Sequence, residues 1–407
     1  MIKPTKKYAG LLGRLTAFTI FFQFHLALPA GLINVNLADP FALLALMTLG
    51  IIWLLSRKMP RWRMPEFNWI LTLFGALLLC AYMIGWTKIG HTQWALSARL
   101  VGWVVLLGYL SAGYLLVAYA GNNGVRWLLE VLAAAAVLVI ILTVVTRFLY
   151  GYGFDVPEPT PNFEGFSGNR NAFAFQLLAV LALSLPYSKI YARQLVVQGE
   201  AVYKAWQSWV PIGFLIVGIV WSGSRAGMLA ASILLLAAYY RDFLDRRSLL
   251  LGIVFASFLW VVAPMQSAIS SEASNQERWA TMRYGIEMWL HSPLIGEGLG
   301  VFIANSTERF GHPTVIHSTP IWILAEFGLI GAAVLGWSFL KLWRYSTRSG
   351  SPHDDRPRIA LLLLLIAFVV FSQFHEMLFQ RIFWLVGGGL LGAPLDSQHQ
   401  KQNWRQP

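Results

Sequence analysis

Long apolar stretches, separated by short polar segments, recur along nearly the whole chain. A helix needs about 20 mostly apolar residues to cross the hydrocarbon core of a bilayer. The pattern therefore predicts an all-α integral membrane protein with about 12 transmembrane helices. The predicted spans are 11–29, 40–56, 67–85, 97–118, 127–149, 171–187, 209–222, 226–240, 248–264, 318–343, 358–376 and 381–394.

The composition supports this class and excludes others. Hydrophobic residues make up 57% of the chain and charged residues only 12%, which is too apolar for a soluble domain. The formal net charge of +12 raises the question of nucleic-acid binding. However, the basic residues are scattered between apolar stretches and form no continuous patch, so we expect no nucleic-acid partner. Cys80, the only cysteine, lies inside an apolar stretch, which leaves no disulfide or thiolate metal site.

The distribution of lysine and arginine predicts the orientation. Basic residues concentrate in alternate connections and beside the N-terminus, and such connections are retained in the cytoplasm. Both termini are therefore predicted to be cytoplasmic. The chain reads as a polytopic transmembrane domain over 1–394, followed by a short cytoplasmic tail over 395–407.

The connection 265–317, between the ninth and tenth predicted helices, is a long loop on the non-cytoplasmic side. Loops of this length are more often functional than not. Within it, apolar residues recur at helical spacing from Arg278 to Leu290, which predicts an amphipathic helix lying at the membrane interface. An aromatic-belt helix that only anchors the loop is the alternative.

Arginine predominates on the predicted outer side, against the positive-inside trend. Because arginine grips phosphate oxygens in a planar, bidentate way, this bias favours an anionic ligand. Alternatively, each arginine extends to lipid headgroups or pairs with a carboxylate. The outer arginines are Arg147, Arg170, Arg225, Arg278, Arg283, Arg309 and Arg381.

A turn of small residues, 222–227, separates two apolar spans and carries Arg225. Backbone amides at such a break can bind an anion, although a plain helical hairpin fits the pattern too. His317 precedes a predicted helix start, where Ser318 or Thr319 is suited to N-capping and Pro320 to the first turn. The helix field and nearby arginines should lower the pKa of His317 and keep it neutral, as a general base requires.

A capping or interfacial histidine is the alternative for His317. The other histidines considered have no comparable context: His25, His91, His291, His312 and His375. The chain has no Walker-type phosphate loop and no H-E-x-x-H zinc motif, and outer aspartates are nearly limited to Asp39 and Asp155. We therefore expect no metal and no cofactor, and the arginines would stabilise negative charge.

Taken in order, Arg278, the sequence P-L-I-G-E-G-L-G over 293–300, His317 and the sequence E-F-G-L-I-G over 326–331 form a spaced motif. It resembles that of the O-antigen ligase and O-antigen polymerase superfamily. The segments S-R-A-G at 224–227 and G-N-R-N at 168–171 are also similar to that family. The resemblance covers about 168–331, and the rest of the chain agrees in hydropathy and helix count.

This resemblance implies a GT-C-like, inverting and metal-independent glycosyl transfer at the periplasmic face of a bacterial inner membrane. His317 would remove the proton from the acceptor hydroxyl. Arg225 and Arg278 would hold the diphosphate of the donor and stabilise its charge, with Arg170 and Arg147 as weaker candidates. The residues leave open whether Glu297, Glu326 and Glu376 assist His317 or pair with arginines.

The leading hypothesis is a ligase that moves O-antigen or a similar surface glycan from undecaprenyl diphosphate to lipid A–core oligosaccharide, with membrane lipids around the site. A polymerase that extends the same lipid-linked glycan is the runner-up. Protein O-glycosylation is less favoured because the tail is short. A flippase of lipid-linked glycans would predict paired broken helices in two matching halves, and we see no internal repeat.

Overall fold

The computed structural model describes residues 3–28, 31–57, 60–120, 123–156, 158, 163–197, 210–240, 271–348 and 352–392. This part of the chain is mostly helical. Its helices are α1 (Lys3–Thr19), α2 (Asp39–Ser56), α3 (Phe67–Ile89), α4 (Gly102–Ala120), α5 (Gly124–Gly151), α6 (Arg170–Val197), α7 (Val210–Trp221), α8 (Arg225–Tyr240), α9 (Ser271–His291), α10 (Val301–Phe310), α11 (Thr319–Thr347), α12 (Pro352–Ser372) and α13 (Arg381–Leu391). A π-helical segment, Ala95–Val101, leads directly into α4.

Several of these helices can cross a membrane. Among the described residues, 5 helices are long and apolar enough: α2, α3, α4 with its π-helical segment, α5 and α11. The helices α7, α8 and α13 are apolar but shorter. The predicted spans from 40–56 onward overlap helices, although α6 continues to Val197, beyond the predicted end at 187, and α12 covers Pro352–Ser372 where 358–376 was expected. The predicted span 248–264 and the predicted tail lie outside the described residues. The structure is therefore that of a helical membrane protein.

The prediction of one apolar span over 11–29 is wrong in its second half. The helix α1 ends at Thr19, and the chain then forms an antiparallel hairpin of β1 (Gln23–Leu28) and β2 (Gly31–Asn36). Asn36 explains the reversal, because its side-chain amide donates to the Ile20 carbonyl at 2.7 Å. That bond satisfies a carbonyl left without a helical partner and holds the end of the hairpin against the end of α1.

The predicted long loop over 265–317 contains two helices in its described part. The expected amphipathic helix is confirmed as a helix, and α9 is longer than the 278–290 segment expected. Trp279 is 73% exposed and Leu290 is 64% exposed, so α9 keeps an apolar surface outside the bundle. The interfacial position of α9 stays a prediction. The helix α9 packs on α11 and thereby brings its own polar residues to the start of that helix.

The packing centres on α4 and on α6. The helix α4 lies against α1, α2, α5 and α13, whereas α6 lies against α7, α8 and α12. Glycine permits the closest approach: a Cβ atom at Gly113 would lie 2.0 Å from the Leu385 carbonyl oxygen of α13. Small residues commonly allow membrane helices to pack this tightly.

The glycine-rich motif over 293–300 docks into a kink of α11. Gly328 interrupts that helix with φ of 63° and ψ of −164°. The freed backbone pairs with the loop, since the amides of Leu329 and Ile330 donate to the carbonyls of Pro293 and Leu294 at 2.9 and 3.0 Å. The motif segments 293–300 and 326–331 thus form one buried backbone junction, which holds in place the helix α11 that follows His317.

Candidate anion and general-base site

The site begins where α6 and α8 start. Asn169 caps α6, because its Oδ1 accepts hydrogen bonds from the amides of Asn171 at 2.9 Å and Ala172 at 3.2 Å. Ser224 caps α8 in the same way, accepting from the Gly227 amide at 3.1 Å. The Ser224 hydroxyl also donates to Asn171 Oδ1 at 2.8 Å, so the two capped turns are tied together.

This junction places two predicted arginines side by side. Arg170 is the first residue of α6 and Arg225 the first of α8. Gly223, with φ of 67°, forms the turn between α7 and α8, and a Cβ atom there would lie 3.8 Å from Arg170 Nη1. Helix N-termini carry partial positive charge, so both guanidinium groups add to a field that favours an anion.

Arg278 completes the cluster from α9. It is half-buried, and burial lowers the pKa of its guanidinium, with the positive charges of Arg170 and Arg225 adding to that effect. Glu277 acts in the opposite direction. Three guanidinium groups that raise one another's electrostatic energy form a site that a polyanion would stabilise.

His317 lies within the electrostatic reach of Arg278. It is half-buried in the segment that leads into α11, with Ser318 at the N-cap position and Pro320 in the first turn as expected. The Ser318 side chain makes no capping hydrogen bond, so that part of the prediction is wrong. The Thr319 hydroxyl instead donates to the His375 carbonyl at 2.8 Å. This bond holds the connection between α12 and α13 against the start of α11.

The pKa of His317 is lowered, as the sequence predicts. Burial is the largest cause and Arg278 the next, whereas Glu277 and Glu376 raise it. The expected direction is confirmed, although burial contributes more than the neighbouring charge. A neutral imidazole with one unprotonated nitrogen can accept a proton from a hydroxyl at neutral pH.

His375 belongs to the same site, which corrects the expectation that it has no comparable context. It lies in the connection between α12 and α13. Burial, Arg278, His317 and Arg170 lower its pKa to about 3. Its ring also packs on Phe371, with the ring centroids 5.2 Å apart. The predicted span 358–376 placed this residue inside the membrane, whereas α12 ends at Ser372. An ionisable residue within a predicted span is itself a functional signal that could have identified it.

Two of the remaining outer arginines pair with carboxylates. Arg309 pairs with Glu287 at 2.9 Å and Arg381 with Asp39 at 2.9 Å, so the carboxylate-pairing alternative is right for these two. Arg147 lies with its guanidinium carbon 5.7 Å from the centre of the Phe163 ring. The structure therefore groups Arg170, Arg225 and Arg278, and of these three Arg278 acts on His317.

The three glutamates left open by the sequence have structural partners. Glu297 accepts a 2.6 Å bond from Lys88, and Glu376 forms a bidentate pair with Arg99. Glu326, fully buried, accepts from the Trp322 indole at 2.7 Å and from the Gly300 amide at 3.1 Å. Within the described ranges, no group of three or more His, Cys, Asp or Glu side chains is placed to hold a metal ion.

An apolar groove of about 400 Å³ runs along α11. Thr319, Pro320 and Gln373 line its upper end, and it continues along α11 as far as Leu342. Its walls come from α3, α11, α12 and α13 and are almost entirely hydrocarbon. Such a groove is suited to an alkyl or isoprenyl chain, and Thr319 and Gln373 in its lining are two residues from His317 and His375 in the sequence.

Fold and site together define a helical membrane protein with a cationic, histidine-containing site at one end of its bundle. Residues 210–336 match the model of the O-antigen ligase family. Members of that family are glycosyltransferase-like enzymes of O-antigen and glycan assembly. The matched segment carries Arg225, Arg278 and His317, whereas Arg170 and His375 lie outside it. Comparison with curated proteins gave no match.

Proposed function

We propose that this chain is an inverting, metal-independent glycosyltransferase that moves O-antigen or a similar surface glycan from undecaprenyl diphosphate to lipid A–core oligosaccharide. The observation that carries the proposal is the cluster of Arg170, Arg225 and Arg278, in which Arg278 acts on His317 and helps burial to lower the pKa of that histidine. The family likeness over 210–336 supports the same reaction class. The site would lie on the periplasmic face of a bacterial inner membrane, with both termini in the cytoplasm.

In this mechanism His317 accepts the proton of the acceptor hydroxyl while the oxygen attacks the anomeric carbon. The bond between that carbon and the diphosphate oxygen breaks, and the diphosphate leaves with the bonding electron pair. Arg225 and Arg278 stabilise the negative charge that develops on the leaving group, with Arg170 beside them. Attack opposite the leaving group inverts the anomeric configuration.

The apolar groove supports a lipid-linked donor. The diphosphate is bonded directly to the polyprenyl chain, so the chain must leave the site close to the arginines and His317. The groove begins at Thr319, two residues after His317, and provides such a path. The reacting hydroxyl of the acceptor belongs to the core oligosaccharide, so the acceptor's acyl chains need not approach the histidine.

The decisive test combines purified protein in detergent with undecaprenyl-diphosphate-linked glycan and either lipid A–core or a second donor molecule as acceptor. We expect covalent transfer to lipid A–core without added metal and in the presence of EDTA. Products containing only extended lipid-linked glycan would establish the polymerase instead. No covalent product with several matched pairs would favour a flippase, because detergent removes compartments without preventing chemistry.

A further inference from the structure

Arg99 is a buried arginine at an unusual place in the bundle. It lies in the π-helical segment before α4, is 5% exposed, and forms two hydrogen bonds with the Glu376 carboxylate. Its guanidinium carbon lies 4.2 Å from the Trp94 ring centre, 4.9 Å from that of Trp322 and 4.5 Å from that of Phe379. Aromatic side chains therefore surround the Arg99 guanidinium, which is the more buried member of the pair.

A buried ion pair is weak evidence for stability, because desolvating both charges offsets their attraction. A buried ion pair can instead serve to hold its two segments in one relative position. The π-helical setting points the same way, since π-helical turns are frequent at functional sites. Arg99 also contacts Trp322, whose indole donates to the fully buried Glu326. The pair is thus joined to α11 as well as to the α12–α13 connection.

A short chain of bonds leads from this pair to His317. Glu376 directly follows His375, and the buried Thr319 hydroxyl donates to the His375 carbonyl at 2.8 Å and accepts from the Met377 amide at 2.9 Å. Thr319 lies two residues after His317. Fixing Glu376 therefore fixes the connection, and the connection fixes the segment that carries the proposed base.

We propose that the Arg99/Glu376 pair is a positioning pair, which holds the α12–α13 connection against Thr319 and thereby sets the position of His317 relative to Arg278. Arg99 does not act on the substrate itself. The inference rests on the proposed function for its kinetic consequence. Its consequence for His317 can be measured without any transfer reaction.

The charges around His317 give the expected directions. Arg278 and Glu277 face it from α9, and His375 and Glu376 from the α12–α13 connection, with Arg170 of α6 acting on His375. Because Glu376 raises the pKa of His317, Glu376→Gln should lower that pKa. In Arg99→Met the carboxylate loses its neutralising partner, so the pKa of His317 should rise. The two substitutions therefore act in opposite directions.

The test measures the rate at which diethyl pyrocarbonate modifies His317 across pH, followed by peptide mass spectrometry. The reagent attacks neutral imidazole, so the midpoint reports the pKa of His317. We expect a lower midpoint in Glu376→Gln, a higher one in Arg99→Met, and no change in Lys88→Met, which removes the outer Lys88 and Glu297 pair. Shifts in the same direction, or none, would overturn the proposal.

Kinetics supply the second readout. Each single substitution should lower kcat for transfer by about tenfold or more through displacement of the base, with KM for the donor nearly unchanged because the arginines remain. The double variant Arg99→Met with Glu376→Met replaces the pair by apolar side chains and should fold, yet it should also lose kcat. Wild-type kcat in that folded variant would contradict a positioning role. Expected midpoint shifts without transfer by the wild type would refute the proposed function alone.

Discussion

Arg225 begins α8 after the turn at Gly223, which lies close to the Arg170 side chain, and Arg225 is exposed. Arg225→Lys keeps the charge but loses the planar fork that binds two phosphate oxygens. We expect the rate of glycosyl transfer to fall by about 100-fold. The measurement is kcat/KM with purified variants, and Arg126→Lys, at an exposed pair with Glu130, is the matched control. Equal activity of the two variants would indicate that Arg225 extends to lipid headgroups and does not bind the diphosphate.

Arg278 provides a prediction about pH. Burial and Arg278 both lower the pKa of His317, so the wild type should stay active at pH values below the usual histidine pKa of about 6.5. Removing the charge in Arg278→Gln should raise that pKa. The acid limb of the pH profile of kcat, where His317 becomes protonated and inactive as a base, should then move to higher pH. A limb at the same or lower pH would contradict the electrostatic account.

The site residues differ in how far the sequence could predict them. His317, Arg225 and Arg278 carry a spaced motif, so their association was predictable from the chain. Glu376 is distant from Arg99 in sequence, and their pairing depends on how α4 and the α12–α13 connection meet. The sequence pattern contains no information on that encounter.

The packing of the loop 293–300 against the kink in α11 can be tested by substitution at Gly328. At Gly328 the positive φ disfavours a side chain, and a Cβ atom would lie 2.4 Å from the Leu294 carbonyl oxygen. Gly328→Ala should therefore lower the free energy of unfolding by about 3 kcal/mol.

Gly336 on the same helix provides the control. A Cβ atom there would meet no neighbouring atom within 4 Å, so Gly336→Ala should be neutral or raise the free energy of unfolding by up to about 1 kcal/mol. Denaturant titration of both variants in one detergent measures the difference. Equal stabilities would mean that the loop and the kink do not form the tight junction described.

Hydropathy predicts the helices well because burial in lipid selects long apolar runs. It fails at the segment 23–36, where apolar residues form a hairpin held by the Asn36 bond to Ile20. It also fails to position Gly328, since a kink inside an apolar run leaves mean hydropathy unchanged. Side-chain hydrogen bonds and backbone geometry decide both features.

At the scale of the whole molecule, the apolar groove along α11 is the proposed path for the polyprenyl chain of the donor. Ala332 lines this groove, whereas the adjacent Ala333 is exposed on the same helix. Ala332→Trp should fill part of the groove and raise KM about tenfold for a long-chain polyprenyl donor, with less effect on a short-chain analogue. Ala333→Trp is the control and should leave both values unchanged. An equal effect on both donors would show that the groove does not bind the polyprenyl chain.

The central claim is that His317 removes a proton during glycosyl transfer at the arginine cluster. The most direct measurement compares the transfer rate and the donor affinity of wild type, His317→Ala and His291→Ala, which replaces an exposed histidine at the end of α9. We predict that His317→Ala binds the lipid-linked donor normally but transfers glycan about 1,000-fold more slowly, while His291→Ala behaves as wild type. Transfer at the wild-type rate by folded His317→Ala protein would contradict the account.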